Sequence, residues 1–300
     1  MDSIKQLLAI VGIAIFSPLV GAETITVEHP MGQTTLESNP QRVIVLGMDT
    51  LDVLDSLNIE PVGVVKSPMP QYLHKYQSSK YPAVGSLFEP DFETIYTLKP
   101  DLIIASNRSS ESYSELTKIA PTVVFMADPA NYWATTQDAW RMLGKIFEKS
   151  EQLEKVIAEK QQQIDAIKAK TTPAHQIMLV MTNGGKLTVF GAQSRYSALY
   201  KLFGFSEVTV NEENKTHGDL ISYEFIANAN PPYLLILDRD QAIGRDSGEA
   251  FKKLNNPLVA QTGAAENGHI HYLNPHAWYI SASGIQATQF MIDDVNAVLN

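Results

Sequence analysis

The chain contains no cysteine. That absence excludes disulfides, thiolate metal sites, cysteine nucleophiles and a lipid-modified cysteine anchor. Past Val20 no apolar run approaches the roughly 20 residues that a membrane-spanning helix needs. Basic residues are also outnumbered, with 23 Lys and Arg against 33 Asp and Glu and a net charge of -10. Such a surface does not suit nucleic acid, and an anionic ligand would need its own locally basic pocket. Enzyme signatures are missing as well. There is no P-loop, no GxSxG elbow and no HExxH, and the Gly184-Gly185-Lys186 segment lacks the upstream spacing of a phosphate loop.

What is present begins at the N-terminus. Lys5 lies in a short polar start, Leu7 to Val20 is almost wholly apolar, and Val20-Gly21-Ala22 precedes Glu23. This is the pattern of a cleaved secretory signal over residues 1–22, with Glu23 opening the mature chain. The mature protein is therefore expected free in an exported aqueous space, a periplasm, without a lipid anchor. Its length accommodates two lobes of ordinary size, and its 44% hydrophobic content is that of a globular protein.

The first half alternates strands and helices. RVIVL (42–46), PVGVV (61–65), DLIIAS (101–106) and TVVFM (122–126) read as strands, and TLDVLDSLNI, DFETIYTLKP and SYSELTKIA as helices. Continuous apolar strands between helices indicate a parallel sheet covered on both faces. From about Asn131 to Lys170 the only internal helix breaker is Gly144. The stretch predicts a long polar helix with a narrow stripe at Leu153, Val156, Ile157, Ile164 and Ile167, a rigid connector between lobes. The second half repeats the alternation: HQIMLVMT, KLTVFG, YLLILD and HIHYL as strands, with SRYSALYKLFG, ISYEFIANAN and SGIQATQFMIDDVNAVLN as helices. The expected fold class is α/β: two Rossmann-like lobes with mainly parallel sheets joined by a single long helix. The expected division is a signal peptide (1–22), an N-terminal lobe (23–148), a connecting helix (149–170) and a C-terminal lobe (171–300).

In open parallel sheets, ligands bind beyond the carboxyl ends of the strands. Arg108 follows DLIIAS, Arg195 follows KLTVFG and Arg239 follows YLLILD. Each alone reads as a solvated loop cation. Three in one topological location point to an anion pocket, because a guanidinium binds oxyanions through two parallel donors and stays charged. His217, in the polar loop NEENKTHGD, and Tyr279, in NPHAWYISASG, belong to the same rim, and both are reasonable partners for an oxidised iron centre. His269, His271 and His276 form a histidine-rich stretch of the kind zinc uses, although no clear carboxylate accompanies them. Finally, Glu93 and Glu224 each stand seven residues ahead of a proline that precedes a buried strand, so the two halves echo one another.

Four segments carry a resemblance to a known family: NPQRVIVLGMDTLDVLDSLNIEPVGV, VGSLFEPDFETIYTLKPDLIIASNR, TVFGAQSRYSALYKLFGF and HAWYISASG. The chain resembles the class III (cluster A-II) periplasmic binding proteins of iron-siderophore and cobalamin importers. Within them it is similar to the branch that binds ferric catecholates such as enterobactin and its linear fragments. The resemblance implies two lobes bridged by one helix, with the ligand in a shallow cleft between them and no catalysis. It implies ligand contacts from Arg108, Arg195 and Arg239, and iron ligation by His217 and Tyr279 when the siderophore supplies four donors. It also implies docking of Glu93 and Glu224 onto an inner-membrane ABC permease with its ATPase, by a monomer with no intrinsic cofactor. Two other readings stand beside it. One is the same scaffold binding hydroxamate siderophore, haem or cobalamin, and the other is a metal-dependent periplasmic enzyme using His269, His271 and His276.

Overall fold

A computed structural model describes residues 23–208, 218–245 and 254–300. A hairpin of β1 (Thr24–His29) and β2 (Gly32–Glu37) precedes a four-stranded parallel sheet, in which β3 (Val43–Val45), β4 (Gly63–Val64), β5 (Leu102–Ser106) and β6 (Thr122–Phe125) stand in the order β4-β3-β5-β6. Every residue of β3, β5 and β6 is buried, as continuous apolar runs in a two-faced sheet require. The intervening helices are α1 (Met48–Ser56), α2 (Phe92–Thr97) and the single turn α3 (Tyr113–Leu116). α1 stops short of the expected Ile59 because Asn58 turns into the left-handed region at φ 57°.

The stretch expected as one long helix is two. α4 (Tyr132–Ile146) ends at Phe147, Glu148 adopts φ 56°, and α5 (Ser150–Lys170) begins beyond it. No proline is needed for this break. Lys149 N–H closes back on the Gly144 carbonyl at 2.8 Å, and the Glu148 carboxylate accepts from Ser38 Oγ at 2.7 Å. Gly144 marks a tight helix–helix contact rather than a helix break. A Cβ there would lie 3.1 Å from Ser150 Cα and 3.2 Å from Leu153 Cδ1, so the missing side chain lets α4 and α5 pack closely.

The second sheet is mixed. β7 (Gln176–Asn183) lies between β8 (Lys186–Phe190) and β11 (Tyr233–Asp238), with β10 (Asp219–Ile221) beyond β8, β12 (Ile270–Tyr272) beyond β11, and the two-residue β9 (Ser206–Glu207) beside the start of β7. β9, β11 and β12 run parallel to this chain direction, while β8 and β10 introduce antiparallel pairs. The Gly184-Gly185 pair is the reason for the first of these. Both residues have positive φ, 55° and 91°, so the chain reverses in a two-residue hairpin instead of crossing over through a helix. Along β7, Ile177, Leu179 and Met181 join the large core shared with the first lobe, while Met178 and Val180 join a smaller core on the other face.

The remaining helices are α6 (Ala198–Lys201), α7 (Tyr223–Ala229), α8 (Arg239–Ala242), α9 (Gly263–Glu266), α10 (Pro275–Tyr279) and α11 (Ile285–Leu299). α11 packs on α1, α5 and α10, and its N-terminus is capped from the first half of the chain. Asp52 of α1 accepts from Gln286 N at 2.8 Å and from Ala287 N at 2.9 Å, and the Tyr72 hydroxyl lies 2.8 Å from Asp52 Oδ2. These contacts satisfy donors that a helix start otherwise leaves open. Gly284 makes the approach possible, since a Cβ there would fall 2.3 Å from Asp52 Oδ2.

Candidate ligand-binding site

Three arginines and one tyrosine converge. Arg108 sits in the 3-10 turn (Asn107–Ser112) that follows β5, and its Nη2 donates to the Tyr279 carbonyl at 2.8 Å. Arg239 opens α8 at the end of β11, and its Nε donates to the Tyr279 hydroxyl at 2.7 Å while Nη1 donates to Asn183 Oδ1 at 2.9 Å. The guanidinium carbons of Arg195, Arg239 and Arg108 lie 4.9, 5.4 and 5.5 Å from the centre of the Tyr279 ring. One phenol thus stands among three cations, within the range of cation–π attraction.

The elements explain this placement only in part. β5 and β11 run into their arginines at their carboxyl ends, as expected for parallel strands. β8 is antiparallel to β7, so its carboxyl end lies at the opposite edge of the sheet from that of β11. Arg195 reaches the cluster through the turn 191–197 instead. Ser194 Oγ donates to the Gly191 carbonyl at 2.7 Å, and the buried Tyr196 ring packs edge-on against Phe190 with centroids 4.9 Å apart. Tyr279 closes α10, which Asn274 caps and which Asp294 of α11 holds by accepting from Asn274 N at 2.7 Å and from Trp278 Nε1 at 2.8 Å.

The electrostatics are those of a locally positive basin. Among the described residues, none of the three arginines forms a salt bridge. Burial and the neighbouring charge of Arg195 push the Arg108 guanidinium below its ordinary value, with Asp49 opposing them. Burial alone would raise the Tyr279 phenol, but the Arg239 hydrogen bond and the three positive charges outweigh it and hold the group below its ordinary value of 10.0. Asp49, in the first turn of α1, is the acidic member of the neighbourhood. Burial lifts its carboxyl to about 7, despite the Thr50 backbone N–H and the Arg108 charge.

Of the residues picked out in the sequence, Arg108, Arg195, Arg239 and Tyr279 come together. His217 lies outside the described residues. Glu93 and Glu224 do not join the cluster contacts. Both are exposed, and both occupy the second position of a short helix, behind the caps Asp91 and Ser222. The Ser222 hydroxyl holds the Glu224 carboxyl below its usual range. The helices end alike too, with Lys99 and Asn230 in the left-handed region immediately before Pro100 and Pro231. His269, His271 and His276 do not assemble: His269 stacks flat on Tyr233 at 4.3 Å, and no metal-holding group of three or more His, Cys, Asp or Glu occurs among the described residues. Nor does any described helix have the length and apolarity to cross a membrane.

Sequence reasoning missed Asp49, Asn183 and Phe88, whose ring centre is 6.0 Å from the Arg108 guanidinium carbon. Asp49 was within reach of the rule that found the arginines, since it follows β3 by four positions. A separate hollow beneath the β1–β2 hairpin, lined by His29, Val124, Met126 and Met142, includes none of the three arginines.

Comparison with known proteins places this geometry. The chain is 50% identical to the periplasmic catecholate-siderophore binding protein VctP from Vibrio cholerae, whose crystal structure it matches with a TM-score of 0.86 over 92% of this chain and 100% of that one. It is 37% identical over 278 residues to the petrobactin-binding protein YclQ of Bacillus subtilis, covering 91% of this chain and 87% of that protein. With the ferric-anguibactin-binding protein FatB of Vibrio anguillarum it shares 35% identity, covering 90% and 86%. These relatives are binding proteins, not enzymes. The model of the periplasmic binding protein family matches residues 43–277, and the chain belongs to that family.

Proposed function

We propose that this protein captures a ferric catecholate siderophore at the arginine basin around Tyr279 and delivers it to an inner-membrane ABC importer. The observation that carries this reading is the gathering of Arg108, Arg195 and Arg239 around one phenol in a chain of net charge -10. Like charges held together with no salt bridge among the described residues cost free energy, which a multiply anionic ligand offsets. A ferric catecholate has that charge, and its aromatic faces suit guanidinium stacking.

Tyr279 adds a metal ligand. A phenol held towards its ionised form by three cations is an oxygen donor suited to ferric iron. A siderophore with four donors leaves two octahedral positions open, which Tyr279 and His217 fill. Glu93 and Glu224, at matched positions of α2 and α7, dock onto the permease of the importer, whose ATPase drives uptake. The protein works as a monomer in the periplasm, freed by cleavage after residue 22 and carrying no lipid anchor. The N-terminal lobe runs to 148 and the C-terminal lobe starts at 171, with α5 as the connecting helix.

Intrinsic fluorescence tests the ligand class. Trp278 is buried next to Tyr279 in α10, so a quencher bound at the basin is reported without labelling. Titration with ferric catecholates, hydroxamates and citrate should give saturable quenching, tightest for the catecholates. Tighter binding of a hydroxamate, or of the neutral cobalamin, would overturn the reading.

A further inference from the structure

Phe88 is 66% exposed, although its neighbours on either side in the fold are firmly held. Leu87 is buried, Ser86 N donates to the Glu89 carbonyl at 2.9 Å, and Ser86 Oγ accepts from Phe88 N at 3.3 Å and Glu89 N at 3.0 Å. Gly85, at φ 102°, is required beneath this turn. A Cβ there would lie 2.3 Å from the Glu89 carbonyl oxygen and 2.6 Å from Asp91 N. Asp91 then caps α2, so the turn is braced from both sides. Exposure here is not slackness: the backbone presents a large ring to solvent from a stiff mount.

The mount aims the ring at the arginine basin. Phe88 is within 6.0 Å of the Arg108 guanidinium carbon, and the Tyr279 ring is 5.5 Å from that same carbon. Arg108 is therefore near two aromatic rings, one from the first lobe and one from α10. A guanidinium satisfies an anion's oxygens at its edge, while the exposed Phe88 ring beside it is available for a planar ligand group.

We propose that Phe88 is a specificity-determining residue, an aromatic wall that stacks on an aryl ring of the ferric siderophore and favours aryl-bearing ligands over those without rings. This inference rests on the ligand reading above and assigns it a selectivity device. The arginines read charge, which citrate-type ligands also carry, whereas Phe88 reads the π-face. Phe92 and Tyr96 of α2 are exposed as well, near Glu93, so a role for Phe88 in meeting the permease is the competing outcome.

The test uses the full-length mature protein, a ferric bis-catecholamide as the probe, and the variants Phe88→Ala, Phe88→Leu and Phe88→Tyr. Stacked aromatic pairs predict a loss of about 3- to 10-fold in affinity for Phe88→Ala. Phe88→Leu keeps apolar area without a π-face and stays near the Ala value, and Phe88→Tyr stays within about 2-fold of wild type. Full affinity in Phe88→Leu or Phe88→Ala overturns the inference. So does unchanged affinity with reduced uptake in cells, which assigns Phe88 to docking. Failure of the wild-type protein to bind the ferric bis-catecholamide is a different result: it overturns the ligand reading itself.

Discussion

Arg239 and Tyr279 are separated by 40 positions in the chain, yet Arg239 Nε donates to the Tyr279 hydroxyl at 2.7 Å. With Arg195 and Arg108 also beside the ring, the phenolate is favoured in the folded protein. The sign follows from linkage. A depressed folded pKa adds stability that is present above the ordinary value of 10.0 and lost as pH falls through the folded value. In alkaline titration of the ligand-free protein, followed by phenolate absorbance, Tyr279 should ionise ahead of the other tyrosines. Tyr279→Phe should remove that first step, and Arg239→Ala should move it to higher pH. A first step that survives in Tyr279→Phe would assign it to another residue.

The same phenol should mark the metal. Addition of a ferric four-donor catecholate to wild type should shift its charge-transfer band as Tyr279 enters the iron shell. Tyr279→Phe should bind more weakly and leave the band of the free complex unshifted. An identical spectrum and affinity in the variant would remove Tyr279 from the coordination shell.

Replacing the basin's charges should weaken binding in proportion to contact. A hydrogen bond to a charged group contributes about 1.5–3 kcal/mol, so Arg195→Gln and Arg239→Gln should each lose roughly 10- to 100-fold in affinity for ferric catecholate. The wild-type affinity should also fall with added salt, because screening acts on a partly open site. Equal affinities in wild type and the double variant would show that the arginines serve the fold alone.

How far the sequence disclosed this arrangement depends on range. β5 and β11 were legible because continuous apolar runs between helices have few other readings, and the arginines at their ends followed. Arg195 was found for a reason that does not hold in the fold, since β8 is antiparallel and a local turn brings the side chain across. The hairpin at Gly184-Gly185 was visible only as two glycines, whose positive φ is a property of the folded chain. Asp52 gave no signal at all. Its partners Gln286 and Ala287 are 234 and 235 positions away, and nothing periodic in α1 distinguishes a buried cap from a solvated acid. The break at Glu148 was equally hidden, because Ser38 and the close packing at Gly144 create it from outside the helix.

Glu93 and Glu224 make a separable prediction. Both are exposed at matched helix positions and neither contacts the arginine basin. Reversal of both to Lys should abolish siderophore-dependent uptake while quenching titrations remain those of wild type. A loss of affinity instead would mean that the carboxylates support the lobes through their helix termini.

Asp52 ties the end of the chain to its beginning at a measurable cost. Burial lifts its carboxyl from 3.8 to about 6, against the opposing hydrogen bonds from Gln286, Ala287 and Tyr72. An acid whose folded pKa is raised binds a proton more readily in the native state than in the unfolded one. Its contribution to stability is therefore largest below about pH 4 and declines as pH rises to about 6, by up to about 1.4 kcal/mol per unit. Burial lowers His29, His271 and His276, so their contributions run the opposite way, and the wild-type profile alone mixes the two. Comparison with Asp52→Asn cancels the histidines. The amide cannot titrate, and its NH2 faces a backbone donor, so the variant should be less stable at every pH. The stability difference between wild type and variant, measured by urea unfolding, should widen as pH falls from 7 to 4. A difference that stays constant across that range would mean that Asp52 remains ionised in the fold, with its three hydrogen bonds prevailing over burial.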